Sequence, residues 1–265
     1  MAAIGFPLTG QVTSWGSGTD FVAKLITHNS AKSFTLNATG KQNDASILTS
    51  NFAAFVKSTK TVTGTIVCEL ATALDGYNGS VSGTGYFANL NAWEIAISRT
   101  LAEITPFGQS WAKFTPGMVS WNGSYSGFLD DTTAPDAPNL ASDPASATFT
   151  VISGGTGKQL VGSIIRSGSA IVTNRQAVST VSMNFQGTGA LTTTGSSTAA
   201  LWPTDASGTA LSAVESKTLV LQTVTGLTIS GVAYWNSIKI TNRVGENVRV
   251  EIGFTYSDTV TGLSV

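Results

Sequence analysis

Apolar and polar residues alternate with a period of two along most of this chain. Phe34-Thr35-Leu36-Asn37-Ala38, Trp93-Glu94-Ile95-Ala96-Ile97, Val181-Ser182-Met183-Asn184-Phe185 and Val250-Glu251-Ile252-Gly253-Phe254 each put every second side chain on one face. That is the signature of a half-buried strand. The pattern predicts strands at 33–39, 60–70, 92–98, 118–128, 147–152, 159–166, 178–186, 217–224, 227–235 and 248–256. Two places break the alternation. Phe52/Phe55 and Trp111/Phe114 are three apart, which puts strand residues on opposite faces but helical ones on the same face. Short helices are therefore expected at 49–56 and 107–114, the second stopped by Thr115-Pro116-Gly117. The stretch 130–147 carries Pro135, Pro138 and Pro144 with little apolar content and reads as a long exposed loop. The first 30 residues hold Phe6, Trp15 and Phe21 among Gly and Thr and read as an arm whose aromatics need a partner for burial.

The alternating segments also repeat. Phe52-Ala53-x-Phe55 is followed by Gly64 and Leu70, and Trp111-Ala112-x-Phe114 by Gly123 and Leu129, at the same intervals. Later, Val161-Gly162 leads through Ser169 and Thr173-Asn174-Arg175 to the 181–185 strand. Ser230-Gly231 leads through Ser237 and Thr241-Asn242-Arg243 to the 250–254 strand. Self-similarity of this kind signals duplicated units. The pieces run first-unit, second-unit, second-unit, first-unit. The simplest reading inserts one module, 85–195, into a loop of another, made of 1–84 and 196–265.

Composition narrows the class. The chain has 265 residues, enough for one large β domain or two small ones. Charged residues make up 11 % against roughly 25 % in an ordinary soluble protein. Either partners cover much of the surface, or the chain is exported or membrane-bound. The start, Met-Ala-Ala-Ile-Gly-Phe-Pro, has no basic stretch before an apolar core, so a signal peptide is not expected. No apolar run approaches the roughly 18 residues of a membrane helix, so synthesis in a cytoplasm and no membrane partner are expected. The formal net charge of -1 argues against a dedicated nucleic-acid binder.

Catalytic chemistry finds little to stand on. His28, the only histidine, lies in a turn-like Thr-His-Asn-Ser, so a serine triad has no placed base. With Cys68 as the only cysteine, neither an intrachain disulfide nor an ordinary zinc site can form, and its apolar setting predicts a buried thiol. Gly154-Gly155-Thr156-Gly157-Lys158 lacks the first glycine and the final Ser/Thr of a phosphate loop and leads into a strand, so a hairpin turn is expected. Asp130, Asp131, Asp136 and Asp143 have no calcium-loop spacing. No catalytic residue, cofactor or metal is expected. Trp93 and Trp121 fall on strands, and Trp111 pairs with Phe114, so all three belong to a core or an interface. Trp15 and Trp202 fall in loops and, with Phe6, Phe21, Asp130 and Asp131, are the candidate subunit contacts.

The segment Glu103-Ile104-Thr105-Pro106-Phe107-Gly108, with Trp111, Phe114 and Pro116-Gly117-Met118-Val119-Ser120-Trp121-Asn122-Gly123-Ser124-Tyr125-Ser126-Gly127-Phe128, resembles the phage tail tube (major tail) protein family. So do Val161-Gly162-Ser163-Ile164-Ile165-Arg166-Ser167-Gly168-Ser169 and Val181-Ser182-Met183-Asn184-Phe185-Gln186-Gly187-Thr188-Gly189-Ala190-Leu191-Thr192. The inserted module carries nearly all of this; the outer one diverges, with Thr59 in place of Met118 and Val62 in place of Trp121.

The resemblance implies an all-β fold, a β-sandwich or partly closed barrel with a short helix in each module. It implies a structural virion protein of the tail, assembling into stacked rings around a channel that DNA traverses without specific binding. Two modules per chain then imply homotrimeric rings of pseudo-sixfold symmetry. The expected further partners are the tail terminator, the tape measure and the baseplate or tip. A capsid decoration protein or tail terminator, or a carbohydrate- or receptor-binding β module, are the alternatives.

Overall fold

The computed structural model describes residues 11–15, 29–44, 55–70, 80–83, 89–128, 145–152, 158–174, 177–194, 217–223, 226–246 and 248–263. Twelve strands account for most of them: β1 (Gln11–Trp15), β2 (Asn29–Asp44), β3 (Phe55–Leu70), β4 (Ser80–Gly83), β5 (Asn89–Glu103), β6 (Phe114–Phe128), β7 (Ala145–Ile152), β8 (Lys158–Asn174), β9 (Ala177–Thr194), β10 (Lys217–Gln222), β11 (Thr228–Arg243) and β12 (Arg249–Tyr256). The protein is all-β, and all ten predicted strands are present. β1 and β4 were not foreseen: β1 lies in the expected arm, and both are short, with no sustained alternation.

Every strand pairing is antiparallel, and the pairs join into one sheet in the order β2-β3-β12-β11-β5-β6-β9-β8-β7-β4, with β10 on β11 and β1 on β10. The path does not close: β2 and β4 are its ends. It curls strongly. Trp93 on β5 and Phe149 on β7 are four strands apart, which in a flat sheet would separate them by roughly 19 Å. Their rings instead lie 5.7 Å apart. The alternating apolar face is thus folded inward, where Ile66, Ile95, Phe149, Phe185, Trp235, Ile238, Ile240, Ile252 and Phe254 are almost wholly buried.

The strand registers recur. Leu36 lies opposite Gly64, and Gly64 opposite Phe254; Ile95 lies opposite Gly123, and Gly123 opposite Phe185. A β-carbon on Gly64 would strike the Thr35 carbonyl oxygen and the Phe254 ring. One on Gly123 would strike the Glu94 carbonyl oxygen and the Phe185 ring. The ladder slips between Ala31/Ser33 and Gly40/Gln42 in β2, and between Leu90/Ala92 and Arg99/Leu101 in β5.

Trp121, Gly162 and the run from Phe185 to Gly189 form one packing lock. The Trp121 indole lies over Gly162 and Gly187, where a β-carbon would collide with its ring atoms. Its Nε1–H donates to the Gly189 carbonyl oxygen at 3.1 Å, and Gly189 has a left-handed φ of 72°. The Gln186 side-chain amide donates back to the Trp121 carbonyl oxygen at 2.7 Å. Phe185 packs against Trp121 and stacks on Phe149, with centroids 6.1 and 5.2 Å apart. Phe185-Gln186-Gly187-Thr188-Gly189 and Trp121-Asn122-Gly123 are therefore two halves of one contact between β6 and β9.

The expected helices need correction. No helix occurs among the described residues. At 107–114 the chain makes a turn at Phe107-Gly108, then a bridge from Trp111 to Lys60, then enters β6. The Trp111 amide region is held by a neighbouring strand: Ala112 N–H donates to the Lys60 carbonyl oxygen, and Lys60 N–H to that of Ser110. Trp111 packs at the core margin beneath the Lys60 ammonium, 5.2 Å from its ring centroid, and this contact satisfies it without a helix. Of 49–56, Phe55 and Val56 already belong to β3, and 49–54 lie outside the described residues. Trp93 and Trp121 are core residues, as expected.

Candidate assembly surface

No cluster of three or more metal-ligating side chains occurs among the described residues. Cys68 is buried on β3, and burial pushes its thiol from 9.0 up to about 12. Buried Tyr256 is likewise raised, its hydroxyl facing the Leu219 carbonyl oxygen at 3.4 Å. Both groups therefore hold their protons in the folded state when an unfolded chain would lose them. Stability should fall as pH rises above about 9, where the unfolded thiol ionises first. Cys68 should resist thiol reagents in the folded protein and react once denaturant unfolds it; fast modification under native conditions would contradict the burial. β7 and β8 pair antiparallel across 153–157, which fits a hairpin rather than a phosphate loop, although the loop itself lies outside the described residues.

The chemistry of this surface lies in backbone edges. β2 is sixteen residues long and pairs on one side with β3. As an end of the path it presents its other side unpaired among the described strands. β8 has a second such edge. β9 covers one side along its whole length, but β7 covers the other only from Lys158 to Ile164. Beyond that, residues 170–173 are all exposed, including Ile171 at 48 % and Val172 at 61 %. Unpaired edges of this length are templates for another strand.

One seam within the chain shows what such an edge does when covered. The second half of β11 pairs with β5, Ser237 opposite Ser98 and Arg243 opposite Ala92. Ile240 and Ile95 face each other there, both 0 % exposed. On the outer face Lys239 and Glu94 form an ion pair at 3.0 Å. Arg99 pins the seam: its Nε and Nη2 donate to the Trp235 carbonyl oxygen at 3.1 and 2.7 Å. Its guanidinium lies 4.2 Å from the Trp235 ring centroid. Burial lowers its pKa to about 10, against the opposing pull of Tyr234, so it stays charged at neutral pH.

A third exposed feature lies at and beyond the far end of the β5–β6 pairing. Ile104 and Phe107, beyond its last pair Glu103/Phe114, stand 55 % and 108 % exposed, and Met118, at the slip within the ladder, 85 %. Sequence reasoning missed both this feature and the β8 edge. The strand at 159–166 was read too short because Gly168, Ser169 and Ala170 interrupt its apolar pattern. Of the expected contact residues, Trp15 lies on β1 opposite Leu219 of β10. Phe6, Phe21, Asp130, Asp131 and Trp202 lie outside the described residues, as do His28 and most of the 130–147 loop.

The sequence matches no protein-family model, and no curated protein matches it. Among solved structures, the tail of an empty gene transfer agent particle, determined with C6 symmetry, aligns at 15 % identity and a TM-score of 0.37. The alignment covers 46 % of this chain and 97 % of that one. The virion of a native gene transfer agent particle aligns at 18 % identity and a TM-score of 0.33, over 42 % and 87 %. The SPP1 tail tube aligns at 13 % identity and a TM-score of 0.34, over 46 % and 78 %.

Proposed function

We propose that this chain is the major tail tube subunit of a phage-like particle, a structural protein that stacks in rings around a DNA channel and catalyses nothing. The observation that carries the reading is the open twelve-stranded sheet, whose β2 and β8 have long edges unpaired among the described strands. Head-to-tail pairing of such edges closes a ring, and identical rings stack into a tube. The exposed Ile104, Phe107 and Met118, at and beyond the end of the β5–β6 ladder, offer apolar surface that stacking would cover. The arm 1–30, the loop 130–147 and the residues Phe6, Trp15, Phe21, Asp130, Asp131 and Trp202 remain proposed contacts between copies. The low charge content suits a protein covered on several sides, and a net charge of -1 suits a channel that DNA slides through.

Two modules, 85–195 inserted between 1–84 and 196–265, would make three chains per ring. The recurring registers around Gly64 and Gly123 support that division. So does the match between β2-β3-β12-β11 with β10 and β1, and β5-β6-β9-β8 with β7 and β4. The terminator, the tape measure and the baseplate or tip would be the neighbouring proteins, and the virion tail the final location. Negative-stain electron microscopy of the concentrated chain tests this. Stacked rings with a central hole are expected, with threefold symmetry in chains. Discrete particles without a hole would overturn it in favour of a decoration or sugar-binding module.

A further inference from the structure

We propose that residues 168–172 of β8 pair antiparallel with residues 35–39 of β2 in a second copy of this chain, in the register already realised inside the chain by β11 and β5. The inference rests on the ring-forming reading above and specifies its contact.

The register follows from the ladders. Trp235 opposite Phe254, then Ser237 opposite Gly253 across a slip, matches Arg166 opposite Phe185, then Gly168 opposite Asn184 across a slip. Ile240 opposite Val250 then matches Ile171 opposite Val181. On the other strand, Ile95 opposite Gly123 matches Leu36 opposite Gly64. Inside the chain Ile240 faces Ile95 and Lys239 faces Ala96. Carried over, Ile171 faces Leu36, Ala170 faces Asn37, and Gly168 faces Thr39.

Burial shows which of these positions await a neighbour. Ile240 and Ile95 are sealed, whereas Ile171 is 48 % exposed and Leu36 only partly buried. Phe34 is partly buried where its counterpart Trp93 is 3 % exposed. Neither 33–39 nor 168–172 contains a charged residue, so neither edge carries the charges that usually block strand addition. A second copy supplies the backbone partners and the apolar cover that the described strands do not. The contact is head-to-tail, since β2 and β8 are different surfaces, and repetition closes a ring or runs on as a filament.

Cysteine pairing tests the register. Asn37 and Ala170 are both exposed, so the full-length Asn37→Cys/Ala170→Cys double variant should fold normally. Mild oxidation should give a ladder of covalent multimers ending at the ring size, while each single variant stops at a trace of dimer. The Lys239→Cys/Ala96→Cys double variant is the control: it should close within one chain and give no ladder. Electron microscopy of the same samples separates the two levels. Rings or tubes without a ladder, with the control closed, would overturn this seam and leave the tube reading standing. A ladder from Thr39→Cys/Ala170→Cys but not from Asn37→Cys/Ala170→Cys would overturn the register. A disulfide within one chain would mean that the sheet closes on itself and would overturn the inter-copy contact. Monomers with neither rings nor ladder would remove both the seam and the tube reading.

Discussion

Replacing Trp121 by alanine is expected to cost about 4 kcal/mol of unfolding free energy, the middle of the range for deleting a buried aromatic side chain. Trp121 is 3 % exposed and central to its half of the core. Its ring touches Phe185 and Phe149 and fills the space over Gly162 and Gly187. Removing it empties that space and leaves the Gly189 carbonyl oxygen without the indole N–H. The two losses have different remedies, which separates them. Trp121→Phe keeps most of the ring and loses the hydrogen bond, so it should cost roughly 1–2 kcal/mol. Chemical denaturation with fluorescence detection measures both. A Trp121→Ala stability within about 0.5 kcal/mol of the parent, the scale of a neutral surface change, would show that the lock does not hold β6 to β9.

The second large effect comes from adding atoms. Gly123→Val should cost about 3 kcal/mol, at the upper end for overpacking a filled core. The new β-carbon meets a backbone oxygen, that of Glu94, as well as the Phe185 ring. A ring can tilt aside, but the carbonyl belongs to the β5–β6 ladder and moves only if that ladder opens. Gly64→Val faces the Thr35 carbonyl oxygen and the Phe254 ring, and a loss of similar size is expected. Because the two sites touch different partners, the double variant should lose about the sum. Thermal unfolding reads this directly. A strong effect at one glycine and none at the other would break the proposed equivalence of the two modules.

These two predictions show where reading the chain alone reached and where it stopped. Strand positions were legible because the period of two is local: 92–98 or 181–185 can be assigned from seven or fewer consecutive residues. The burial of Trp93, Trp121 and Cys68 was legible for the same reason, since each sits on the apolar side of an alternating run. The matching intervals around Gly64 and Gly123 were legible too, and those two glycines take matching places in their ladders. The helical reading of 107–114 failed because aromatic spacing was the only signal. A strand from elsewhere, carrying Lys60, supplies the hydrogen bonds and the stacking cation that a helix would otherwise have provided.

By itself, the sequence determined an all-β chain with little charge. Those properties are sums or periods over neighbouring residues, so they need no partner to be read. Only the tertiary structure decided that the strands join in a single curled, open sheet, that β11 spans from β12 to β5, and that β2 and part of β8 have sides unpaired among the described strands. Strand pairing is made by backbone groups that every residue carries alike. The side chains therefore say that a strand exists, and only the long-range fold says which neighbour it lacks.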